Sequence, residues 1–266
     1  MSRITETFTR LRQERRHALI PFIVVGDPDL HTTVELIVEL ARAGASLIEL
    51  GIPFSDPVAD GPVIQRASMR ALGNGAGLGE ALKVLAAARR QTDVPIILFS
   101  YFNPLRKFGI EKLCVEARRA GADGVLVTDL PAEESGDFAS QLAREGLHSI
   151  FLVAPTTTDK RLQMIAERAS GFIYAVSRAG VTGTRALPSD EAELLVNRVR
   201  KVSDLPVAVG FGVSTASHVA EVFRYADGAV VGSAIVTEIE RLSGSPDIVQ
   251  RIGDFTRALL AEGREQ

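Results

Sequence analysis

Glu49 stands in the run Leu47-Ile48-Glu49-Leu50-Gly51, one acid among apolar neighbours. Strand geometry sends alternate side chains to opposite faces, so Glu49 shares a face with Leu47 and opposes Ile48 and Leu50. An ionised carboxylate in such surroundings is costly unless paired, and burial raises its pKa toward the working range of a general acid or base. The competing reading is a structural ion pair with an arginine of a neighbouring element. Directly after the run comes Gly51-Ile52-Pro53-Phe54-Ser55-Asp56-Pro57-Val58-Ala59-Asp60-Gly61-Pro62, whose prolines and glycines forbid helix and describe a shaped loop. It brings Asp56 and Asp60 to the mouth toward which Glu49 points. Each aspartate alone is an ordinary turn former. Together with Glu49 they supply carboxylates at different depths, and so with different pKa values.

A second group of residues suits an anion. Gly210-Phe211-Gly212 and Gly232-Ser233 each close an apolar run and open a helical one. Backbone N–H groups of such turns, with the dipole of the helix that follows, bind a phosphate dianion. The alternative is a pair of tight turns with no ligand. Between them and the rest of the chain lies Ser177-Arg178-Ala179-Gly180-Val181-Thr182-Gly183-Thr184-Arg185, small and polar enough to close over a ligand.

The lysines, Lys83, Lys107, Lys112, Lys160 and Lys201, all fall in helical or loop stretches, which disfavours a Schiff base on a strand-end amine. His17, His31, His148 and His218 are scattered, and no metal site is expected. Acid/base chemistry without a cofactor, on a small phosphorylated substrate, is the reading that remains.

Elements that hold these residues follow from periodicity. Eight short apolar runs recur: 19–25, 47–50, 95–100, 124–127, 148–153, 172–176, 206–209 and 228–231. They alternate with amphipathic stretches, among them 32–43, 78–90, 111–120, 133–145, 159–169, 189–202 and 216–225. Runs that are apolar throughout are buried on both faces, as in a parallel sheet covered by helices. Junctions repeat as well: Ala43-Gly44-Ala45 matches Ala120-Gly121-Ala122, and Thr92-Asp93-Val94-Pro95 echoes Ser203-Asp204-Leu205-Pro206. Eight such units predict an α/β fold of one domain over residues 1–266, a (β/α)8 TIM barrel, with an open sheet as the alternative. Residues 1–16 read as an extra amphipathic N-terminal helix with Ile4, Phe8 and Leu11 on one side. In a barrel, chemistry sits at the C-terminal strand ends and the loops that follow them.

Composition narrows the function classes. The chain has 266 residues, 46% hydrophobic and 24% charged, with 30 basic and 33 acidic side chains and a net charge of −3. That balance offers no electrostatic footprint for nucleic acid or an anionic membrane. One cysteine, Cys114, excludes a disulfide framework and suits a reducing cytoplasm. No apolar run reaches membrane-spanning length, and no targeting segment is expected.

The long loop from Leu50 to Pro62 closely resembles the signature loop of the tryptophan synthase alpha chain family. Pro21-Phe22, Gly26-Asp27-Pro28, Tyr101-Phe102-Asn103-Pro104, Ser177 to Gly183, and Gly210-Phe211-Gly212-Val213-Ser214 are similar to that family too, in order along nearly the whole chain. The resemblance implies a cytoplasmic lyase of tryptophan biosynthesis. Its reaction is the retro-aldol cleavage of indole-3-glycerol phosphate to indole and glyceraldehyde 3-phosphate. By resemblance Glu49 protonates the indole C3 and takes the proton of the glycerol hydroxyl, while Asp60 holds the indole N–H and stabilises the charge developing there. Phe22 and Tyr174 line the indole pocket with Phe99, Leu126 and Leu152 as apolar neighbours, and Phe211 counts with the substrate-binding residues. Gly183, Gly212, Gly232 and Ser233 hold the phosphate, and Thr182 positions the closing loop near Asp60. Pro53 and Asp56 resemble positions facing a beta chain, in an assembly of two alpha and two beta chains. Pyridoxal phosphate is expected on that partner and no cofactor on this chain. The segment Thr184-Arg185-Ala186-Leu187-Pro188 departs from the family, and no roles are carried past Gly183. Competing expectations are a stand-alone lyase releasing free indole, another phosphosugar isomerase or epimerase, and a non-catalytic phosphate-binding barrel.

Overall fold

The structure, a computed structural model, describes residues 1–176 and 190–261. Eight parallel strands close into a barrel in sequence order: β1 (Ala18–Val24), β2 (Ile48–Gly51), β3 (Ile96–Ser100), β4 (Gly124–Val127), β5 (His148–Val153), β6 (Ile173–Val176), β7 (Val207–Gly210) and β8 (Gly228–Val231). β1 pairs with both β2 and β8, which closes the ring and removes the open-sheet alternative.

Helices cover the outside. In chain order they are α1 (Arg3–Gln13), α2 (Leu30–Arg42), α3 (Pro62–Gly73), α4 (Leu78–Arg89), α5 (Phe102–Phe108), α6 (Ile110–Ala120), α7 (Gly136–Arg144), α8 (Asp159–Arg168), α9 (Asp190–Arg200), α10 (Ala216–Phe223), α11 (Ser233–Leu242) and α12 (Ile248–Ala261). Alternation along the strands splits the core in two. Residues such as Leu19, Ile48, Leu50, Ile96 and Leu98 pack outward against the helices, whereas Ile20, Leu47, Ile97, Leu126, Ile150, Tyr174, Ala208 and Val230 fill the interior. Gly44 and Gly121 follow α2 and α6 at φ +106° and +95°, the left-handed turn that the Ala-Gly-Ala junctions predict.

Two departures from the periodicity have local causes. The stretch 133–145 is not one helix: the Ser135 hydroxyl donates to the Ala132 carbonyl, closing a 3-10 turn over Ala132–Glu134, and the helix restarts as α7 at Gly136. In the other, α5 forms despite Pro104, which falls in the first turn where N–H groups have no intrahelical partner anyway.

α1 closes the N-terminal end of the barrel. Its Ile4, Phe8 and Leu11 join the interior cluster, with the Phe8 ring 5.8 Å from that of Phe172. Beside it Asp123 is buried and held from three sides: Arg89 at 2.9 Å, Arg3 at 3.0 Å and the Ile96 N–H at 2.8 Å. Asp227 repeats the device half a barrel away, accepting the Val207 N–H at 2.9 Å with Arg200 at 3.3 Å. In both cases the N–H follows a strand-opening proline, Pro95 or Pro206. The sequence repeats mark a structural motif that starts β3 and β7.

Candidate active site at the C-terminal strand ends

Glu49 points into the barrel on the face that strand parity assigns it. It is 1% exposed, and its Oε1 is buried without a hydrogen-bond partner. Among the described residues no arginine or lysine pairs with it, so the structural ion pair considered above is not formed. Burial alone pushes its carboxyl up to about 8. Phe22 lies beside it in the β1–β2 register.

The loop after β2 is pinned from several sides. Ile52 N–H continues the ladder to the Phe99 carbonyl at 2.8 Å, and Asp60 N–H closes a turn onto the Pro57 carbonyl at 3.0 Å. Gln65, on α3, donates to the Asp60 carbonyl at 2.8 Å. The Ala59 N–H donates to the Tyr101 hydroxyl at 2.9 Å. Asp60 is half-buried; burial raises its carboxyl to about 6, against the lowering influence of the Tyr101 hydroxyl. Tyr101, 3% exposed, was not singled out as a site residue by sequence reasoning. Its position immediately after β3, at a C-terminal strand end, was the available signal.

Around Glu49 the inward positions near the strand ends alternate between rings and glycines. Phe22 and Phe99 meet edge-to-face at 5.2 Å, and Tyr174 and Phe211 at 6.2 Å. A Cβ at Gly51 would lie 2.6 Å from the Phe22 ring, and one at Gly210 would lie 2.0 Å from the Tyr174 hydroxyl oxygen. These two glycines make room for pocket aromatics. Tyr174 is buried, and its hydroxyl is pushed well up by burial and by Glu49. Leu126 is buried in the interior, and Leu152 and Phe99 pack against it.

At the glycine turns, Phe211 takes φ +73°, a left-handed conformation uncommon for a residue with a side chain, and Gly212 follows at +84°. The helix ends behind the two turns differ. Thr215 caps α10, its side chain accepting the His218 N–H, whereas α11 starts at Ser233 behind Gly232 with no side-chain cap. First-turn N–H groups of α11 are therefore available to an anion.

Pro53 is buried and Asp56 exposed, its carboxylate accepting from the Ser55 hydroxyl at 2.5 Å. Val58, next to them, is 79% exposed. Thr182 and Gly183 lie outside the described residues, as does the rest of the segment 177–189. Among the described residues no group of three or more His, Cys, Asp or Glu side chains is placed to hold a metal ion, and no helix is long and apolar enough to cross a membrane.

Comparison with known proteins adds an independent line. Residues 8–260 match the sequence profile of the family described as tryptophan synthase alpha chain. The chain is 46% identical over 259 residues to the tryptophan synthase alpha chain of Geobacter sp. strain M21, covering 97% of each. It superposes on the crystal structure of tryptophan synthase subunit alpha from Legionella pneumophila with a TM-score of 0.92 at 37% identity, over 100% of both chains. A chain of the tryptophan synthase complex from Pyrococcus furiosus is 37% identical, with a TM-score of 0.82 over 91% of this chain and 97% of that one.

Proposed function

We propose, from the premise that this chain belongs to the tryptophan synthase alpha chain family, that Glu49 and Asp60 divide the charge work of the family's reaction between them. The enzyme is a lyase of tryptophan biosynthesis. It cleaves indole-3-glycerol phosphate to indole and glyceraldehyde 3-phosphate.

One observation carries the assignment: Glu49 is buried with an unpartnered carboxyl oxygen while Asp60 is only half-buried, so that burial raises the two carboxyls unequally, to about 8 and about 6. At pH 7 Glu49 holds a proton while Asp60 is ionised, which separates acid from counter-charge without a metal. Glu49 gives its proton to the indole C3, and the ring takes up positive charge at nitrogen. The Asp60 carboxylate accepts the indole N–H and stabilises that charge. Glu49, now a carboxylate, removes the proton from the glycerol hydroxyl nearest the ring. The carbon–carbon bond breaks, its electron pair returns to the indole, and the hydroxyl carbon leaves as the aldehyde. The proton that Glu49 gives stays on C3 of the released indole, and the hydroxyl proton takes its place on Glu49, so the cycle closes.

Phe22 and Tyr174 sandwich the indole space, with Phe99, Leu126, Leu152 and Phe211 around it. The uncapped start of α11, with Gly232 and Ser233, holds the phosphate, assisted by Gly212 and Gly183. By resemblance to the family, Thr182 positions the closing loop near Asp60. The whole chain, 1–266, serves as one barrel domain. Its partner is the beta chain, as the Pyrococcus furiosus complex supports, in an assembly of two alpha and two beta chains. Asp56 and the exposed Val58 offer the loop's outer face to that partner, and buried Pro53 sets its shape. Pyridoxal phosphate belongs to the beta chain, and the pair works in the cytoplasm.

An indole-release assay on the purified chain, repeated with beta chain, tests this. Indole-3-glycerol phosphate should be cleaved by the chain alone and faster in the complex. No acceleration on mixing identifies a stand-alone lyase, and no indole at all removes the assignment of Glu49 and Asp60.

A further inference from the structure

Tyr101 is hydrogen-bonded to the loop after β2 at Ala59, the residue before Asp60, and this arrangement has a purpose beyond filling space. The residue sits where β3 ends and α5 begins, at φ −88° and ψ 159°, in the N-cap position. Its side chain does not cap that helix. Asp129 does so from the loop after β4, accepting the Phe102 N–H at 2.6 Å. Tyr101 is thereby released to reach back toward β2, where its ring lies 5.2 Å from that of Phe54. A phenylalanine would fill the same volume against Phe54. The buried hydroxyl is the surplus: it accepts the Ala59 N–H at 2.9 Å, one residue before Asp60, and it and the Asp60 carboxyl each shift the other's titration.

We propose that Tyr101 is the positioning residue for Asp60, its hydroxyl fixing the loop at Ala59 and donating to the Asp60 carboxylate so that this group meets the substrate's N–H already oriented. The proposal rests on the reading of Asp60 given above. Its physical logic is pre-organisation. The loop is joined to the barrel at β2 and α3 and, among the described residues, is otherwise seated through such contacts, whereas Tyr101 stands at the end of β3. A donor to the carboxylate also favours the ionised form against burial, which raises it. Among the described residues the groups acting on this pair are few. Asp60 and Asp129 both raise the Tyr101 hydroxyl, and Gln65 binds the Asp60 carbonyl rather than its carboxylate.

Indole release by the complex with beta chain, measured from pH 5 to 9 for wild type, Tyr101→Phe, Asp60→Asn and the double variant, tests the proposal. Tyr101→Phe should lower kcat about tenfold at pH 7 while the KM for indole-3-glycerol phosphate changes less, roughly threefold or under. Its acid limb should move upward by about one pH unit, so that part of the loss is recovered at pH 8. In the Asp60→Asn background the same change should cost less than about twofold. Titration of the Asp60 carboxyl carbon by NMR should move in the same direction whatever the activity. A loss uniform across pH, an undiminished loss in the Asp60→Asn background, or an unmoved Asp60 titration overturns the positioning role. Wild-type turnover in Asp60→Asn alone overturns instead the reading of Asp60 on which the proposal stands.

Discussion

Asp123 and Glu49 are buried to nearly the same degree, 4% and 1% exposed, at opposite ends of one barrel. At the N-terminal end Asp123 meets two guanidinium groups and a backbone N–H. At the C-terminal end Glu49 meets apolar walls and leaves an oxygen unpartnered. A third buried acid, Asp27, stands after β1 near the catalytic end, yet Arg70 grips it with two bonds of 2.8 and 2.9 Å. Burial of an acid is therefore not the sign of chemistry; burial without a partner is. The folded state tolerates Asp123 and Asp27 because each is paired, and it tolerates Glu49 by keeping it protonated.

That contrast can be broken first at the paired end. Asp123→Ala leaves Arg89 half-buried with no carboxylate and the Ile96 N–H without its acceptor. The expected cost is on the order of 3 kcal/mol of stability, read as a lower urea midpoint. Folded Asp123→Ala should keep kcat within about twofold of wild type. A tenfold fall in kcat with stability intact would make the N-terminal end part of the catalytic apparatus. Glu49→Gln is the mirror image. It should lower cleavage at least about 10²-fold with the fold retained, and Asp60→Asn should do likewise. Turnover near wild type in either variant removes that residue from its role.

Glycines at the two ends sharpen the comparison. Gly210→Ala would drive a methyl group into the Tyr174 hydroxyl, 2.0 Å from the Cβ position. The ring must yield into the indole space, so KM for the substrate should rise about tenfold, with a smaller effect on the thermal midpoint. Gly124→Ala meets the His148 carbonyl oxygen at 2.9 Å and the tip of Ile150 at 2.7 Å, deep in the wall between β4 and β5. Backbone cannot yield as a side chain does. That variant should lose stability by about 1–3 kcal/mol and leave KM alone. Exchange of these two outcomes would mean that the ends of the barrel are not specialised as described.

The sequence made the barrel readable because its strands are uniformly apolar and its junctions repeat. Every one of the eight strands falls within a residue or two of its apolar run, and parity alone aims Glu49 inward. Its lack of a partner was not readable, since pairing depends on which arginine the fold brings near. Tyr101 escaped for a related reason: the N–H it accepts comes from a loop some forty residues earlier, with no periodic pattern to announce it. Gly51 reads in the sequence as a loop residue and Gly210 as part of an anion-binding turn; that they clear space for Phe22 and Tyr174 depends on strand register. Likewise, the two glycine turns look equivalent in sequence, and only the Thr215 cap on α10 separates them.

The last effect expected is on stability rather than rate, and it isolates the cost of the unpaired acid. In the native state Glu49 holds its proton up to about 8, against an ordinary value of 4.5. Between those values the folded chain binds a proton that the unfolded chain has released. Stability therefore falls as pH rises through that window and is level below it and above it, as far as this group is concerned. Glu49→Gln has the same shape and no proton to lose, so the difference in stability between variant and wild type should move in favour of the variant from pH 5 to pH 8, by at least about 1 kcal/mol. The buried amide brings its own cost, but that cost does not vary with pH. Urea unfolding of both proteins at pH 5, 6, 7 and 8 measures the slope of the difference. A flat difference would mean that Glu49 finds a partner or water in solution, and its contrast with Asp123 would then disappear.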